Sequence, residues 1–332
     1  MQTQDLTDVS IRRFAECDYP AIAELNNINF PEFKISVEEW RSDDQTRLAK
    51  CQAARWVAEY SHCVVGFAQY EQFASVYHPR KFNIEVMVDP MHRQRGIGRQ
   101  LYATLIDALA PFEPVMVDIW SREDMVCRRA FLEHRGFLPD QRIWSSALDL
   151  TTFDPAPFWS YVDALRAQDI VVRTLAELRA DNTLDERALY DLWSSVHADV
   201  AVAPSQTPST RTFDEWRPRN LEHPTLYPEA YFIALHGDCY VGTTNLWHAP
   251  EADVIRTGLT GVRSEYRGRG IAFGLKVLAL DFAKRRGYRS TDTENASTNA
   301  GMLSINERLG FIKRPAWIHY AGAWDKVASA AV

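Results

Sequence analysis

The chain has 332 residues, a net charge of −7 and 46% hydrophobic residues, a composition typical of a globular protein long enough for two domains. Its five cysteines are odd in number and form no C-x-x-C pair, which argues against a disulfide framework or a structural zinc site and predicts a reducing, cytoplasmic location. No apolar run approaches the roughly 18 residues that read as a membrane-spanning helix, and no N-terminal segment has the pattern of a signal peptide, so we predict no membrane partner.

The acidic charge is uneven along the chain. Residues 1–160 hold 17 Lys and Arg against 23 Asp and Glu, whereas the remainder holds 20 against 21. Because nucleic-acid-binding domains are usually basic, we predict no nucleic-acid partner. An acidic first half suits a small cationic acceptor, but an acidic surface that maintains solubility is an equally good interpretation.

The first half of the chain predicts strands that alternate with helices. The expected strands are residues 9–13, 55–60, 63–71, 83–88 and 115–120. The expected helices are residues 19–26, a segment that begins at Ser36, a segment after residue 96, and residues 125–134. The third of these helices is amphipathic, with Leu101, Leu105 and Leu109 on one face.

The second half of the chain repeats this order. The arginine- and glycine-rich segment at 92–101 recurs at 266–275, 174 positions later, and Gly136-Phe137 recurs as Gly310-Phe311 at the same offset. A shared offset across two separated motifs indicates a tandem duplication. We predict domains at 8–150 and 169–326, joined by a packed helical segment at 151–168. The second copy carries about 15 extra residues, which include a polar, proline-bearing loop.

The repeated segment has the features of a phosphate site. A loop of arginine and glycine between a strand and a helix gathers unpaired backbone N–H groups at the positive end of the helix dipole. A P-loop is excluded because no G-x-x-x-x-G-K-[ST] occurs, and a dinucleotide-binding fold is disfavoured because no G-x-G-x-x-G follows the first strand of a unit. A turn that uses glycine for geometry alone is the alternative, and two copies in matching contexts make it a weaker one.

These residues resemble the GNAT superfamily of acyl-CoA-dependent N-acyltransferases. Residues 86–98 and 260–272 are similar to its most diagnostic segment, whose core is (Gln/Arg)-x-x-Gly-x-(Gly/Ala), and residues 293–311 are similar to its later strand and helix. The two-domain arrangement resembles that of mycothiol synthase, although no residue selects that activity. The resemblance implies an α/β (α+β) fold of two tandem GNAT domains, each a splayed, mixed and mostly antiparallel sheet with helices on both faces.

The resemblance also implies acetyl-CoA as co-substrate and no metal ion. The pantetheine arm would pair like an added strand with the fourth strand, and the pyrophosphate would lie on the glycine segment. The implied contacts in the first copy are Val86, Met87, Val88, Arg93, Gln94, Arg95, Gly96, Ile97, Gly98 and Arg99. Those in the second copy are Thr260, Gly261, Val262, Arg267, Gly268, Arg269, Gly270, Ile271, Ala272, Phe273 and Asn299. We favour the second copy slightly, because Met125 replaces the asparagine in the first.

The implied reaction is direct transfer of an acetyl group to a primary amine in a ternary complex. A tyrosine that often protonates the leaving thiolate in this family falls on Leu132 and Asn306, of which Asn306 can still donate a hydrogen bond to sulfur. The family's frequent basic glutamate falls on Phe82 and Arg256, which are not bases. The catalytic candidates are therefore Glu85, Asn306 and Asp199. Glu32, like Asp199, could line an acceptor cleft, and His197 is one more possible base.

The sequence does not identify the acceptor substrate. A small-molecule amine and a peptide amine both remain, and the sequence does not determine the oligomeric state. Because both tyrosine positions are lost, a non-catalytic acyl-CoA-binding or scaffold protein is an alternative to the enzyme. A pair of one active and one degenerate domain is a further alternative.

Overall fold

The structure is a computed structural model that describes residues 9–330. Residue 8, the predicted start of the first domain, lies outside the described residues. The chain forms two compact units. The first unit comprises the chain up to Arg142, residues 202–209 and the chain from Trp317, and the second comprises residues 143–201 and 210–316.

The strands and longer helices are named in chain order. The strands are β1 (Val9–Arg13), β2 (Ala53–Tyr60), β3 (Cys63–Glu71), β4 (Lys81–Val88), β5 (Met116–Arg122), β6 (Leu138–Asp149), β7 (Ile170–Thr174), β8 (Leu226–His236), β9 (Cys239–His248), β10 (Val254–Val262), β11 (Ser290–Ala296), β12 (Ile312–Lys313) and β13 (Trp317–Ala323). The helices are α1 (Tyr19–Asn29), α2 (Val37–Gln45), α3 (Ile97–Leu109), α4 (Val126–Glu133), α5 (Trp159–Arg166), α6 (Leu175–Ala180), α7 (Glu186–His197), α8 (Phe213–Leu221), α9 (Ile271–Arg285), α10 (Ala300–Arg308) and α11 (Trp324–Ser329).

The first unit is a mixed sheet in the order β1-β2-β3-β4-β5-β13. Every neighbouring pair is antiparallel except β4 and β5, which are parallel. Side chains of one strand alternate between the two faces. On β4, Ile84 packs with Leu101 and Leu105 of α3 on one face, and Met87 packs with Trp40 of α2 on the other. The sheet is therefore covered by helices on both faces.

The second unit repeats this layout in the order β7-β8-β9-β10-β11-β6, with β12 paired to β6. Again a single pair along that order, β10 and β11, is parallel. On β8, Phe232 packs with Leu275 of α9, and the adjacent Ile233 packs with Trp193 of α7 and Trp216 of α8. The predicted fold class, a mixed and mostly antiparallel sheet with helices on both faces in each unit, is confirmed.

The last strand of each unit follows the glycine segment of the other repeat. β13 comes late in the chain but pairs with β5 in the first unit, and residues 143–149 of β6 pair with β11 in the second. The compact units are thus discontinuous in sequence. The predicted ranges 8–150 and 169–326 follow the two sequence repeats. As domain boundaries they stay a prediction.

The polar loop that the second repeat carries belongs to the first unit by its contacts. Ser205 Oγ donates to Asp140 Oδ2 at 2.5 Å, and the same oxygen lies 3.2 Å from Nδ1 of the fully buried His319. Ser209 N donates to the carbonyl oxygen of Ser75 at 2.8 Å. Hydrogen bonds therefore hold both ends of residues 205–209 in the first unit.

Three further features concern the described residues as a whole. Among residues 9–330, none of the helices combines the length and the apolar composition needed to cross a bilayer. Within the same range, no group of three or more His, Cys, Asp or Glu side chains is placed to hold a metal ion. All five cysteines are free thiols.

Candidate active site

Both glycine segments adopt the same backbone conformation. Gly96 and Gly270 precede α3 and α9 with φ of 81° and 78°. Two residues earlier, Gln94 and Gly268 also have positive φ, 61° and 76°. A left-handed residue other than glycine costs on the order of 1 kcal/mol or more, so Gly268 relieves the second loop of a strain that the first one carries.

The N-terminus of α9 presents unpaired donors at the end of this loop. The first intrahelical bond runs from Gly274 N to the carbonyl oxygen of Gly270 at 3.0 Å, so the preceding backbone N–H groups of the helix have no acceptor within it. The helix dipole adds positive potential there. Arg269 of the same loop packs over the ring of Tyr266, 4.9 Å from its centroid. This arrangement can hold a phosphate group.

The first arginine of each loop is fixed against the preceding strand. Arg267 Nε donates to the carbonyl oxygen of Val262 at 3.2 Å, and Arg93 Nε makes the matching bond to Val88 at 3.3 Å. The Arg267 guanidinium also forms an ion pair with Asp199. Asp199, a predicted catalytic residue, therefore lies beside the phosphate loop as the partner of one of its arginines.

An arginine fills the gap between the fourth and fifth strands of the first unit. β4 and β5 pair over Lys81–Asn83 and then separate. Arg128 of α4 donates to the carbonyl oxygens of Val86 on β4, at 2.8 Å, and Trp120 on β5, at 2.9 Å. It continues to Glu85, with which it forms an ion pair at 2.7 Å. The guanidinium thus bridges the two strands where they diverge.

The strand edge of Val86 is consequently occupied. Asp89 N bonds to the carbonyl oxygen of Val65 at 2.9 Å, so strand alternation turns the backbone groups of Val86 toward the gap. Val86 N–H is not free to donate to a ligand there, because it already donates to Glu85 Oε1 at 3.0 Å, and the Val86 carbonyl oxygen accepts from Arg128. Burial raises the pKa of Glu85, and Arg128 opposes that rise. The predicted catalytic Glu85 is thus held in an ion pair with Arg128.

Within residues 9–330, no arginine corresponding to Arg128 bridges the gap in the second unit. β10 and β11 pair over Val254–Arg256 and then separate. At the repeat offset of 174, Met302 stands in the place of Arg128 and Leu259 in the place of Glu85. Neither side chain carries a hydrogen-bond donor that could join the two strands. The pair that closes the first gap is therefore replaced by an apolar pair.

β10 also contains a bulge that β4 lacks. Its register with β9 shifts by one residue between Thr257 and Thr260, whereas the register of β3 with β4 is constant over Asn83–Val88. A bulge bends its strand and redirects the groups that follow. Arg263 N bonds to the carbonyl oxygen of Val241 at 2.9 Å, so alternation turns the N–H and C=O of Thr260 toward the gap.

Asn306 of α10 contacts β11 beyond the point where β11 separates from β10, and Asn299 immediately precedes α10. Asn306, 2% exposed, donates from Nδ2 to Oδ1 of Asn295 on β11 at 2.6 Å. Its own Oδ1 is buried and has no hydrogen-bond partner among the residues that the structure describes. Asn299 caps α10 by accepting from Met302 N at 3.1 Å. In the first unit Leu132 replaces Asn306 as a core residue, so the polar pair is particular to the second unit.

Glu294 is a candidate that the motifs did not reveal. It lies on β11 beyond the point where β10 separates, and its side chain is exposed. The surrounding protein desolvates the carboxyl group and Asp292 repels its charge, which raises the pKa of Glu294 to about 7 against the attraction of Arg256. The repeat offset alone could have found it, because its counterpart in the first copy is Trp120.

The possible base His197 and the predicted cleft residue Glu32 also have defined partners. The ring of His197 stacks on Trp193 with centroids 4.4 Å apart, and burial together with the charge of Arg211 lowers the pKa of His197. Glu32 forms an ion pair with Arg122 in the first unit. His197 is therefore neutral at neutral pH, and Glu32 is held by an arginine.

The duplicated unit matches one protein family twice. A family model described as "Acetyltransferase (GNAT) family" matches residues 19–137 and again residues 188–311, together more than half of the chain. The chain belongs to the GNAT family of acetyltransferases. The two matches confirm the predicted tandem arrangement of GNAT domains, and the chain is an N-acetyltransferase.

Relatives and solved structures of GNAT proteins span nearly the same length. The mycothiol acetyltransferase of Cellulomonas flavigena is 24% identical over 293 residues, which cover 85% of this chain and 77% of the relative. A GCN5-related N-acetyltransferase from Sphaerobacter thermophilus has a TM-score of 0.69 at 22% identity and covers 95% of this chain and 96% of its own. A tandem GNAT protein from the clavulanic acid biosynthesis pathway has a TM-score of 0.73 at 16% identity, with 96% and 99% covered. These likenesses establish the fold over both GNAT domains.

Proposed function

We propose that the second unit transfers an acetyl group from acetyl-CoA directly to a primary amine while both substrates are bound. The difference between the two gaps carries this proposal. In the first unit Arg128 and Glu85 cross the gap, and in the second Met302 and Leu259 stand in their places. A thioester inserted between β10 and β11 would meet the unbridged backbone of Thr260.

The predicted cofactor contacts of the second copy fit this arrangement. The pantetheine arm would pair with the edge of β10 at Thr260–Val262, as an added strand does. The pyrophosphate would lie on the loop and helix start at Arg267–Phe273, where left-handed glycines and unpaired N–H groups meet. Asp199 would orient Arg267 through their ion pair. The matching residues 86–99 retain a phosphate loop, but Arg128 occupies the strand edge beside it.

A backbone donor is available for the oxyanion that forms during acyl transfer. The N–H groups of Thr260 and Val262 face the gap, because Arg263 N and the alternate N–H groups of β10 pair with β9. A fixed donor at the developing charge contributes several kcal/mol, of the order of 3, to stabilising the transition state. The donors to the oxyanion would therefore be the backbone N–H groups of β10 that follow the bulge.

Asn306 would stabilise the departing thiolate. Its Nδ2 donates to Asn295 Oδ1, and its Oδ1 lacks a partner among residues 9–330. If both amides are reversed, the bond between the two side chains is kept and Nδ2 of Asn306 takes the unpartnered position. A donor on sulfur lowers the charge of the leaving group without transferring a proton, which suits an asparagine in place of a tyrosine.

We propose a small-molecule amine as the acceptor. The relative from Cellulomonas flavigena, a mycothiol acetyltransferase, is named for a small molecule and supports this choice over a peptide. Release of CoA thiol from acetyl-CoA upon addition of glucosamine, spermidine or an alanine-terminated peptide measures the preference. Turnover of the peptide alone would contradict a small-molecule acceptor. The cytoplasmic location stays a prediction.

One pair of matched variants tests which loop binds acetyl-CoA. Gly270→Val places a β-branched residue at φ 78°, and Gly96→Val makes the same change at φ 81° in the first unit. Backbone strain of about 1–3 kcal/mol displaces the loop, so we expect Gly270→Val to weaken acetyl-CoA binding at least about tenfold. Gly96→Val is expected to leave the dissociation constant within about twofold.

Isothermal calorimetry with acetyl-CoA provides both the affinity and the stoichiometry. The wild-type protein is expected to bind one equivalent per chain. Two equivalents, or a loss of affinity in Gly96→Val alone, would reject the assignment to the second unit. Circular dichroism and thermal unfolding of both variants establish that each is folded under the conditions of the titration.

A further inference from the structure

Glu294 faces the side of the sheet opposite α9 and α10. Its neighbour on β11, Asn295, bonds to Asn306 of α10, and successive strand residues point to opposite faces. Glu294 therefore faces the side on which α7 lies. On the adjacent strand, a Cβ added at Gly261 would lie 2.1 Å from Cγ1 of Val196, which places α7 directly against that face of β10.

Charged groups lie near Glu294 on the same face, but among residues 9–330 none of them forms an ion pair with it. Asp292, two residues earlier on the strand, forms an ion pair with Arg314 at 2.9 Å. Arg256 of β10 lies opposite Asp292 in the parallel register and attracts the carboxylate of Glu294. Among residues 9–330, no hydrogen bond or ion pair involves the Glu294 side chain. Its carboxylate is therefore available to an incoming group.

A buried hydroxyl lies beside Glu294 on the same face of the sheet. Ser145 of β6 is directly opposite Glu294 in the antiparallel register, so the two side chains share a face. Ser145 is 1% exposed, and its Oγ has no hydrogen-bond partner within the described part of the chain. A buried hydroxyl without a partner is costly, and a bound polar group would satisfy it.

We infer that Glu294 is the general base that accepts the proton of the acceptor amine, an inference that rests on the proposed acetyl transfer in the second unit. The amine nitrogen attacks the thioester carbonyl carbon and forms the C–N bond. The Glu294 carboxylate takes a proton from that nitrogen. The C–S bond breaks, its electron pair leaves with the sulfur, and the CoA thiolate is protonated by water.

The residue proposed to accept the proton of the attacking amine and the residue proposed to stabilise the leaving thiolate lie on opposite faces of β11. Glu294 stands on the α7 face and Asn306 reaches the strand from the α10 face through Asn295. A thioester in the gap between β10 and β11 would lie between a base for the amine and a donor for the sulfur. The other candidates lack this position, because Asp199 is paired with Arg267 and Glu85 belongs to the first unit.

The ionisation of Glu294 sets the expected pH dependence. Desolvation and the repulsion by Asp292 raise its pKa to about 7, with Arg256 acting in the opposite direction. A general base acts in its deprotonated form, so the rate should rise with pH through about 7. Arg314 pairs with Asp292 at 2.9 Å, so an arginine also lies close to the two carboxylates on this face.

Glu294→Gln tests the inference with an isosteric change. We expect kcat to fall at least about 100-fold, the lower end of the contribution of a general base, with the rise in rate near pH 7 abolished. The dissociation constant for acetyl-CoA should change by less than about twofold, since Glu294 lies on the acceptor side. Glu229→Gln, which alters an exposed glutamate of β8, is the matched control and should retain wild-type kinetics.

The assay measures acetyl-CoA-dependent thiol release from pH 5.5 to 9 with glucosamine, spermidine and an alanine-terminated peptide. His197→Asn is assayed in parallel, because a loss of the pH-dependent rise in that variant alone would transfer the role to His197. A decrease of less than about fivefold in Glu294→Gln, or an unchanged pH profile, overturns the inference while leaving the proposed transfer intact. Absence of wild-type turnover with all three amines would overturn the proposed function, and the inference with it.

Discussion

Introducing the first-unit bridge into the second unit is expected to abolish acetyl-CoA binding. In Leu259→Glu/Met302→Arg, the new guanidinium would bond the carbonyl oxygen of Thr260, as Arg128 bonds Val86, and the new ion pair would hold it there. An extended pantetheine arm would lose two or three hydrogen bonds of about 1 kcal/mol each and the space between the strands. We expect affinity and kcat/KM to fall roughly 100-fold or more, measured by calorimetry and thiol release.

The reverse exchange in the first unit is the control. Glu85→Leu/Arg128→Met removes both charges together, because a buried glutamate left alone would cost about 3–5 kcal/mol. This variant should keep wild-type activity and a similar unfolding midpoint. Wild-type binding in Leu259→Glu/Met302→Arg, or loss of activity in Glu85→Leu/Arg128→Met, would place the reaction in the first unit instead.

The duplicated fold could be predicted because its signals are local in sequence. The two glycine segments and the two Gly-Phe pairs share the offset of 174, and each marks a turn whose backbone conformation requires glycine or tolerates little else. The structure bears this out at Gly96 and Gly270, which have nearly equal φ. The exchange of β6 and β13 could not be predicted, because strand pairing depends on the tertiary arrangement and leaves no periodic pattern of its own.

The bridge across the first gap also depends on tertiary structure. Arg128 and Arg129 are adjacent on α4, and the sequence cannot tell which of them turns to the sheet. In the structure Arg128 reaches β4 and β5, whereas Arg129 bonds the hydroxyl of Tyr320 at 3.0 Å. The role of Arg128 as the bridge therefore depends on which arginine of α4 faces the sheet, and only the structure shows this.

The bulge in β10 limits what the repeat offset predicts about the strand on that side of the gap. At the offset of 174, Arg256 is equated with Phe82, but the strand register places Arg256 opposite Asp292 as Asn83 is opposite Asp118. One inserted residue in β10 thus shifts by one position the correspondence between the residues of β10 that precede the bulge and those of β4. β11 has no insertion relative to β5, so the offset of 174 equates Glu294 with Trp120 directly.

A buried lysine in the second unit is expected to make stability depend on pH. Lys276 of α9 is 2% exposed, its Nζ has no hydrogen-bond partner among residues 9–330, and it lies 5.1 Å from the ring centroid of Phe311. Burial lowers its pKa from 10.5 to about 7. In the first unit Tyr102 has the equivalent position and its hydroxyl donates to the carbonyl oxygen of Val327 at 3.0 Å, so the same position is satisfied there.

The direction of the pH effect follows from proton binding. Between about pH 7 and 10.5 the unfolded chain carries a proton on Lys276 that the folded protein lacks, so the free energy of unfolding rises with pH in this range. Each pKa unit is worth about 1.4 kcal/mol, and the folded state at pH 7 is therefore destabilised by a few kcal/mol relative to pH 10. An apolar side chain of similar length removes this dependence.

Lys276→Met is accordingly expected to raise the free energy of unfolding at pH 7 by roughly 2–4 kcal/mol, because methionine fills the same space without a charge to desolvate. Urea unfolding at pH 7, 8 and 9 should show stability rising with pH in the wild type, and that rise should disappear in the variant. Lys326→Met, which changes an exposed lysine of α11, should shift stability by less than about 0.5 kcal/mol and retain the wild-type rise. Equal pH dependence in wild type and Lys276→Met would mean that the Lys276 ammonium finds a partner or water when folded. The lack of a hydrogen-bond partner for Nζ among residues 9–330 is what makes Lys276 the source of the expected pH effect.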